Sequence, residues 1–418
     1  MKKAGQLAIN GGAPARTRRN PPMFLGGMEI DRREEEAVIN VLRSRRLFRY
    51  YGPLPAKSRV EEFEKRFAPI AGTEYALGMN SCTNSLVTAL LAAGVQPGDE
   101  VIVPSYTFVA SAAAVVAANA IPVIVDIDES FTLDPDQVEK NVTGKTRAIL
   151  PVHMRGAVCD MDAVMGIARR HGLMVVEDVA QANGSMYRGK PAGSIGNAGC
   201  YSFQFHKIIT AGEGGALVTS DARLYDRARA LHDCGANWRD EDSSLPEFPG
   251  YNFRMSELTG AMLLVQLERR DAIIASLRRS ARAVAGAVGQ FPGAALRKSN
   301  DASGDIGLCV MFTVAEQQKA VDIAAALEAE GICAATMGDP GVPDWHIYAY
   351  WNNIINRRGN NDSGFPFTLS DRVYSKDMCP RTLDLLARTV HIELNHRYTD
   401  EDAKEIATGV DKVLSCLL

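Results

Sequence analysis

Short, nearly unbroken apolar runs alternate with helical patterns between about residues 75 and 220. The runs fall at 100–104, 121–126, 147–153, 173–178, 199–204 and 216–220. They are rich in Val and Ile, as strands covered on both faces are. Apolar residues recur at helical spacing over 84–93, 108–118 and 162–171, and earlier over 33–44 and 60–70. Strands alternating with helices predict an α/β fold, with a mostly parallel sheet between helices.

The texture changes near residue 250. Residues 239–250 carry Asp240, Glu241, Asp242, Ser243, Ser244, Pro246, Pro249 and Gly250, the composition of an exposed loop. A long amphipathic pattern over 255–282 predicts a helix that bridges two domains. A strand at 308–314 and helices at 318–331 and 400–417 then suit a smaller α+β unit. The first thirty residues are rich in Gly, Pro and Arg and read as an extended arm. The expected division is an arm over 1–30, a large α/β domain over 31–254, and a bridging helix with a small α+β domain over 255–418.

Composition narrows the function. The 418 residues carry 46 Lys+Arg against 50 Asp+Glu, a net charge of −4. Neither nucleic acid nor an anionic membrane is expected as the main partner of so balanced a chain. Hydrophobic residues at 46% and charged residues at 23% are globular values, which exclude global disorder. The apolar stretch 111–125 is interrupted by Asn119 and Pro122 and reads as a helix followed by a strand, not a membrane span. Met1-Lys2-Lys3-Ala4-Gly5-Gln6 leads into no apolar run, so no secretory leader is expected. Eight cysteines, at 82, 159, 200, 234, 309, 333, 379 and 416, form no CxxC pair and no zinc spacing. They read as reduced thiols of a cytoplasmic protein, and no metal is expected.

Ligands of open parallel sheets sit at the carboxyl ends of strands. There this chain places Glu177-Asp178-Val179-Ala180-Gln181, then Lys207 before Ala211-Gly212-Glu213-Gly214-Gly215. Asn80-Ser81-Cys82-Thr83-Asn84 opens the first helix of the region, and Ser105-Tyr106-Thr107-Phe108 follows another strand. One cofactor uses an acid, a lysine, an amide-rich helix start and an aromatic together: pyridoxal 5′-phosphate (PLP). A lysine amine condenses with an aldehyde. A buried carboxylate keeps a pyridine nitrogen protonated, and the protonated ring withdraws electrons. A helix N-terminus suits a phosphate, and an aromatic face suits a flat ring.

The spacing from Asp178 to Lys207, Ser202-Phe203-x-x-x-Lys207 and Gly212-Glu213-Gly214-Gly215 resemble the DegT/DnrJ/EryC1/StrS aminotransferases, fold-type I PLP enzymes acting on keto sugars and ketocyclitols. Three further segments are similar to the family's: Gly98-Asp99-Glu100-Val101-Ile102-Val103-Pro104, Pro151-Val152-His153, and Gly250-Tyr251-Asn252-Phe253-Arg254-Met255-Ser256. The resemblance implies that Lys207 holds PLP covalently and shuttles protons, with Asp178 on the pyridine nitrogen. It places Gln181 at the ring hydroxyl, Phe108 against the ring, and Thr83, Asn84 and Ser202 at the phosphate. Asn252 would reach the phosphate of a neighbouring subunit, making a homodimer with shared sites. Substrate candidates are His153, Arg254 and Tyr51, the last in an Arg- and aromatic-rich stretch whose other reading is a solvated basic face.

The implied activity moves an amino group from L-glutamate or L-glutamine to a keto sugar or ketocyclitol, for antibiotic or surface-glycan biosynthesis. Two features depart from the family pattern. Cys82 stands where Gly is usual, and Met154-Arg155 stands where an aromatic usually follows Pro-Val-His by two positions. The competing readings are a PLP-dependent dehydratase or lyase on a deoxyketosugar, marked by His in place of the lysine, and a non-catalytic PLP- or sugar-binding regulator. His206 precedes Lys207, but only Lys207 has the family's spacing from Ser202-Phe203.

Overall fold

The computed structural model describes residues 6–50, 58–236, 248–337, 343–359 and 361–418. Its centre is a seven-stranded sheet of β1 (Tyr75–Met79), β2 (Glu100–Pro104), β3 (Ile121–Val125), β4 (Thr146–Ile149), β5 (Met174–Asp178), β6 (Ala198–Ser202) and β7 (Gly215–Thr219). The order is β1-β7-β6-β5-β4-β2-β3. Strands β3, β2, β4, β5 and β6 pair in parallel, whereas β7 runs antiparallel to both β6 and β1. Six strands therefore point one way, and their carboxyl ends open on one edge.

These strands form where the sequence is Val/Ile-rich, and every residue of β2, β3, β6 and β7 is buried. The run expected over 147–153 is shorter as a strand. It ends at Ile149, and Val152 adds only an isolated parallel bridge to Asp178. β1 was not expected, since Tyr-Ala-Leu-Gly-Met is short and holds a glycine. Gly78 is needed there, because a Cβ would meet Val60 at 2.9 Å.

A second sheet holds β8 (Ala295–Leu296), β9 (Cys309–Thr313), β10 (Ala334–Thr336) and β11 (Thr389–Glu393), in the order β8-β9-β11-β10, antiparallel throughout. Helix Gln317–Ala329 packs on it, and helix Asp400–Leu417 packs on that helix. The bridging helix runs over Glu257–Val288, capped by Ser256, whose hydroxyl accepts from Thr259 N–H at 3.1 Å. It outlasts the expected 255–282 and packs against helices Arg32–Ser44, Arg59–Ile70 and Asp400–Leu417. Among the described residues no helix is long and apolar enough to cross a membrane. Part of the loop expected over 239–250 lies outside the described residues.

Two segments tie the sheets together. The amino-terminal arm is strapped to the second sheet's helices: Glu330 accepts from Ala8 and Ala15 N–H at 2.8 and 2.7 Å, and Arg16 pairs with Asp402 at 3.0 Å. It then reaches the first sheet, where Gly26 N–H donates to Lys207 C=O at 3.0 Å. A stretch near residues 344–382, within the carboxyl-terminal part of the chain, returns to the first sheet. Tyr348 N–H donates to Ser105 C=O at 3.0 Å, and Thr382 shares a 2.6 Å hydroxyl bond with Ser105.

Candidate active site

A cavity of about 500 Å³ lies at the carboxyl ends of β2, β5 and β6. Here the strand order turns back on itself, the usual place for a ligand in an open α/β sheet. Asp178, Lys207, Gln181, Phe108, Thr83 and Ser202 all line it.

Asp178 ends β5 and is 4% exposed. Its carboxylate accepts from Ala180 N–H at 3.0 Å and from the Ser111 hydroxyl at 2.8 Å. Burial nonetheless raises its pKa above the ordinary carboxylate value, against the pull of those bonds and of Lys207. Lys207 is half-buried in the turn after β6. Burial lowers its amine pKa, with the Arg155 guanidinium pushing the same way and Cys82 and Asp178 opposing. Among the described residues it makes no ion pair.

The third element is the helix Cys82–Ala92, which starts two residues before the expected 84 because Ser81 caps it. The Ser81 hydroxyl accepts from Asn84 N–H at 3.1 Å. That start puts Cys82 and Thr83 in the first turn, on the cavity, where their N–H groups find no acceptor among the described residues. Gly215 lets β7 approach this turn, since a Cβ there would lie 2.4 Å from Ser81 C and 2.5 Å from Cys82 N. Cys82 itself is a buried thiol whose pKa burial holds well above the usual value. Phe108 is 47% exposed, so it is a cavity wall and not core packing.

Other expected site residues lie elsewhere. His153 is a correction, because it is 0% exposed and both ring nitrogens are used. Nε2 is 2.8 Å from Glu177, and Nδ1 accepts from Cys159 N–H at 3.2 Å, which takes it out of reach of a substrate. Arg254 is paired with Asp233 and stacked over Phe48 at 5.4 Å, and it does not line the cavity. Asn84 faces Asn80, donating to it at 2.8 Å, also off the cavity. Asn252 is exposed, bridged to Asp233. Tyr51 lies outside the described residues. Arg49, in the stretch read as a solvated basic face, is instead buried against Glu64 at 2.6 Å. Sequence reasoning missed Ser111, which supports Asp178 from an apolar helix and carries no local signal of that role.

The residues present fit PLP. A buried carboxylate lacking a full charge partner, an amine whose pKa burial lowers, free helix amides beside two hydroxyls, and an exposed aromatic wall converge on one cavity. An open α/β sheet with such a site has the form of a protein built around this cofactor. The chain belongs to the DegT/DnrJ/EryC1/StrS aminotransferase family, whose profile matches residues 28–349.

The chain is 45% identical over 223 residues to the GDP-perosamine synthase of Caulobacter vibrioides, covering 53% of this chain and 59% of that protein. It is 40% identical over 285 residues to the L-glutamine:2-deoxy-scyllo-inosose aminotransferase of Streptoalloteichus tenebrarius, covering 66% of each. The match thus spans less than two thirds of either relative. The crystal structure of S. venezuelae DesV in complex with a ketimine intermediate superposes with a TM-score of 0.76 at 31% identity, covering 95% of this chain and 99% of that one.

Proposed function

We propose that the protein is a PLP-dependent aminotransferase that takes an amino group from L-glutamine or L-glutamate and delivers it to a keto sugar or ketocyclitol. The observation that carries this reading is the convergence of Lys207, Asp178 and the first turn of helix Cys82–Ala92 on one cavity. The names of the relatives support the substrate class, with a nucleotide-linked sugar amine on one side and an inosose on the other.

PLP, when bound, supplies an aldehyde that condenses with amines and a ring that withdraws electrons. Lys207 Nζ is the amine that would hold it, and the burial that lowers its pKa favours the neutral, nucleophilic form. With the cofactor joined to the donor instead, the same Nζ would be free to take a proton from the donor's α-carbon and return it to the neighbouring cofactor carbon. Asp178 stands ready for a protonated ring nitrogen, which would give its carboxylate the charge partner it lacks. Gln181 is held by Arg155 N–H, which donates to its Oε1 at 3.2 Å, and offers its amide to the ring hydroxyl. The Thr83 and Ser202 hydroxyls and the Cys82 and Thr83 amides receive the phosphate. Phe108, on the cavity wall, would offer its face to the ring.

Asn252 is exposed and away from this chain's own cavity, which supports a homodimer in which it serves the neighbouring site. Eight free thiols support a reducing, cytoplasmic setting. The test is spectroscopic. Protein supplied with PLP should absorb in the visible, glutamine or glutamate should bleach it, and an accepting keto sugar or ketocyclitol should restore the colour. Protein that stays colourless with PLP overturns the reading. Bleaching with no amine product on any ketone would favour dehydratase or lyase chemistry.

A further inference from the structure

A second chamber of about 230 Å³ shares Lys207, Gln181, His206 and His346 with the first cavity. It is closed by three groups that sequence reasoning did not assign: Arg155 from the turn after β4, and His391 and Glu393 from β11 of the second sheet. Arg155 has a left-handed backbone (φ 48°), uncommon outside glycine and often found at functional sites. Its guanidinium is fixed by two walls. Nε donates to the Tyr106 hydroxyl at 2.8 Å, and one terminal NH₂ group lies 3.4 Å from both His391 Nε2 and Glu393 Oε1. Among the described residues, the other NH₂ group donates to nothing. His391 is held neutral, because burial and the nearby Arg155 and Arg297 push its pKa well down. The chamber therefore offers one open guanidinium edge, one neutral imidazole and one carboxylate.

We propose that this chamber holds the amino-acid donor, with Arg155 taking its α-carboxylate and Glu393 selecting a side-chain carboxamide over a second carboxylate. The inference rests on the aminotransferase reading and adds the donor's chemistry to it: glutamine over glutamate. A guanidinium edge matches a carboxylate in shape and charge. The chamber's volume falls below the roughly 300 Å³ at which drug-sized pockets begin, so it suits a small amino acid and not a nucleotide-linked sugar. With Arg155 engaged by one carboxylate, a second would lie near Glu393 and be repelled, whereas an amide N–H can donate to it.

The experiment uses the PLP-loaded full chain and two unreactive probes, glutarate and its monoamide glutaramate, titrated by calorimetry. The unmodified protein should bind glutaramate about tenfold more tightly than glutarate. Glu393→Gln should bring the two within about threefold of each other. Arg155→Met should weaken both by roughly 10–100-fold, with Arg155→Lys recovering part of the loss. Rates of bleaching by glutamine and glutamate should follow the same order. Unchanged probe binding in Arg155→Met, or an unchanged probe ratio in Glu393→Gln, overturns the inference. If the unmodified protein is bleached by an amino acid while the variants behave like it, only the donor chamber is wrong. If no amino acid bleaches the unmodified protein, the aminotransferase reading fails with it.

Discussion

Glu177 and Asp178 are adjacent acids on one buried strand, and they face opposite sides of the sheet. Glu177 is 0% exposed and fully satisfied. It accepts from the N–H groups of Gly193 (2.8 Å), Ile195 (2.8 Å) and Gly196 (2.6 Å) and sits 2.8 Å from His153 Nε2. Those bonds close the loop between β5 and β6, where Gly193 takes a left-handed φ of 95° and a Cβ would meet Tyr201 Oη at 2.7 Å. Asp178 accepts one bond on each oxygen, faces the cavity, and carries a raised pKa. Alternation along a strand thus puts a structural acid and a functional acid one residue apart. Full satisfaction marks the first, and an unfinished environment marks the second.

The contrast breaks most sharply on activity. Lys207→Ala and Asp178→Asn should each cut steady-state transamination by roughly a thousandfold or more, measured as amine product from keto substrate. Retained turnover in either variant would remove that side chain from the chemistry. Glu177→Gln should instead act on stability. Its amide NH₂ must meet backbone donors or lose the imidazole, so unfolding free energy in urea should fall by about 2–4 kcal/mol. The folded fraction should keep most of its turnover. A Glu177→Gln protein as stable as the parent would mean that the loop is held by something else.

A substitution at Asp178 reverses the sign on the same strand. In cofactor-free protein, Asp178 is a buried acid with too few partners, so Asp178→Asn should stabilise that form by roughly 1–3 kcal/mol at neutral pH. With PLP bound, the same substitution should remove the gain that binding gives. Urea titrations of both variants, with and without PLP, would show one neighbour lost and the other gained.

The pattern along the chain made the sheet legible, because strands covered on both faces read as unbroken Val/Ile runs and each run ends beside a chemical residue. Asp178, Lys207 and the helix start near Thr83 followed from that placement. His153 entered the substrate candidates because it also ends such a run. What separates it from Asp178 is the face its side chain occupies and the Glu177 carboxylate waiting there. The donor chamber was not legible at all. Arg155 stands out only as a departure from the family pattern, with no role attached, while His391 and Glu393 stand in an ordinary alternating strand. They meet only because the second sheet folds back over the first, a contact between residues 236 and 238 positions apart. β7 was placed correctly as a strand, but its antiparallel pairing with both β6 and β1 leaves no mark in an unbroken apolar run.

The smallest effect sharpens the comparison from the amine side. Burial lowers the Lys207 pKa below its ordinary 10.5, so the folded cofactor-free protein holds that proton less well than the unfolded chain does. Below the lowered value both states are protonated, and the buried charge costs its full penalty. As pH rises through the folded pKa toward 10.5, the unfolded chain binds more protons than the folded one, and the penalty is relieved. Lys207→Met carries no such term. Its stability advantage over the unmodified cofactor-free protein should therefore be largest near neutrality and shrink steadily as pH approaches 10. Urea midpoints for the two proteins across that range measure the difference directly, and the Glu177 side of the strand cancels because it is common to both. A gap that stays constant with pH would mean that the amine is solvated like a surface lysine, and that its reactivity comes from the cofactor alone.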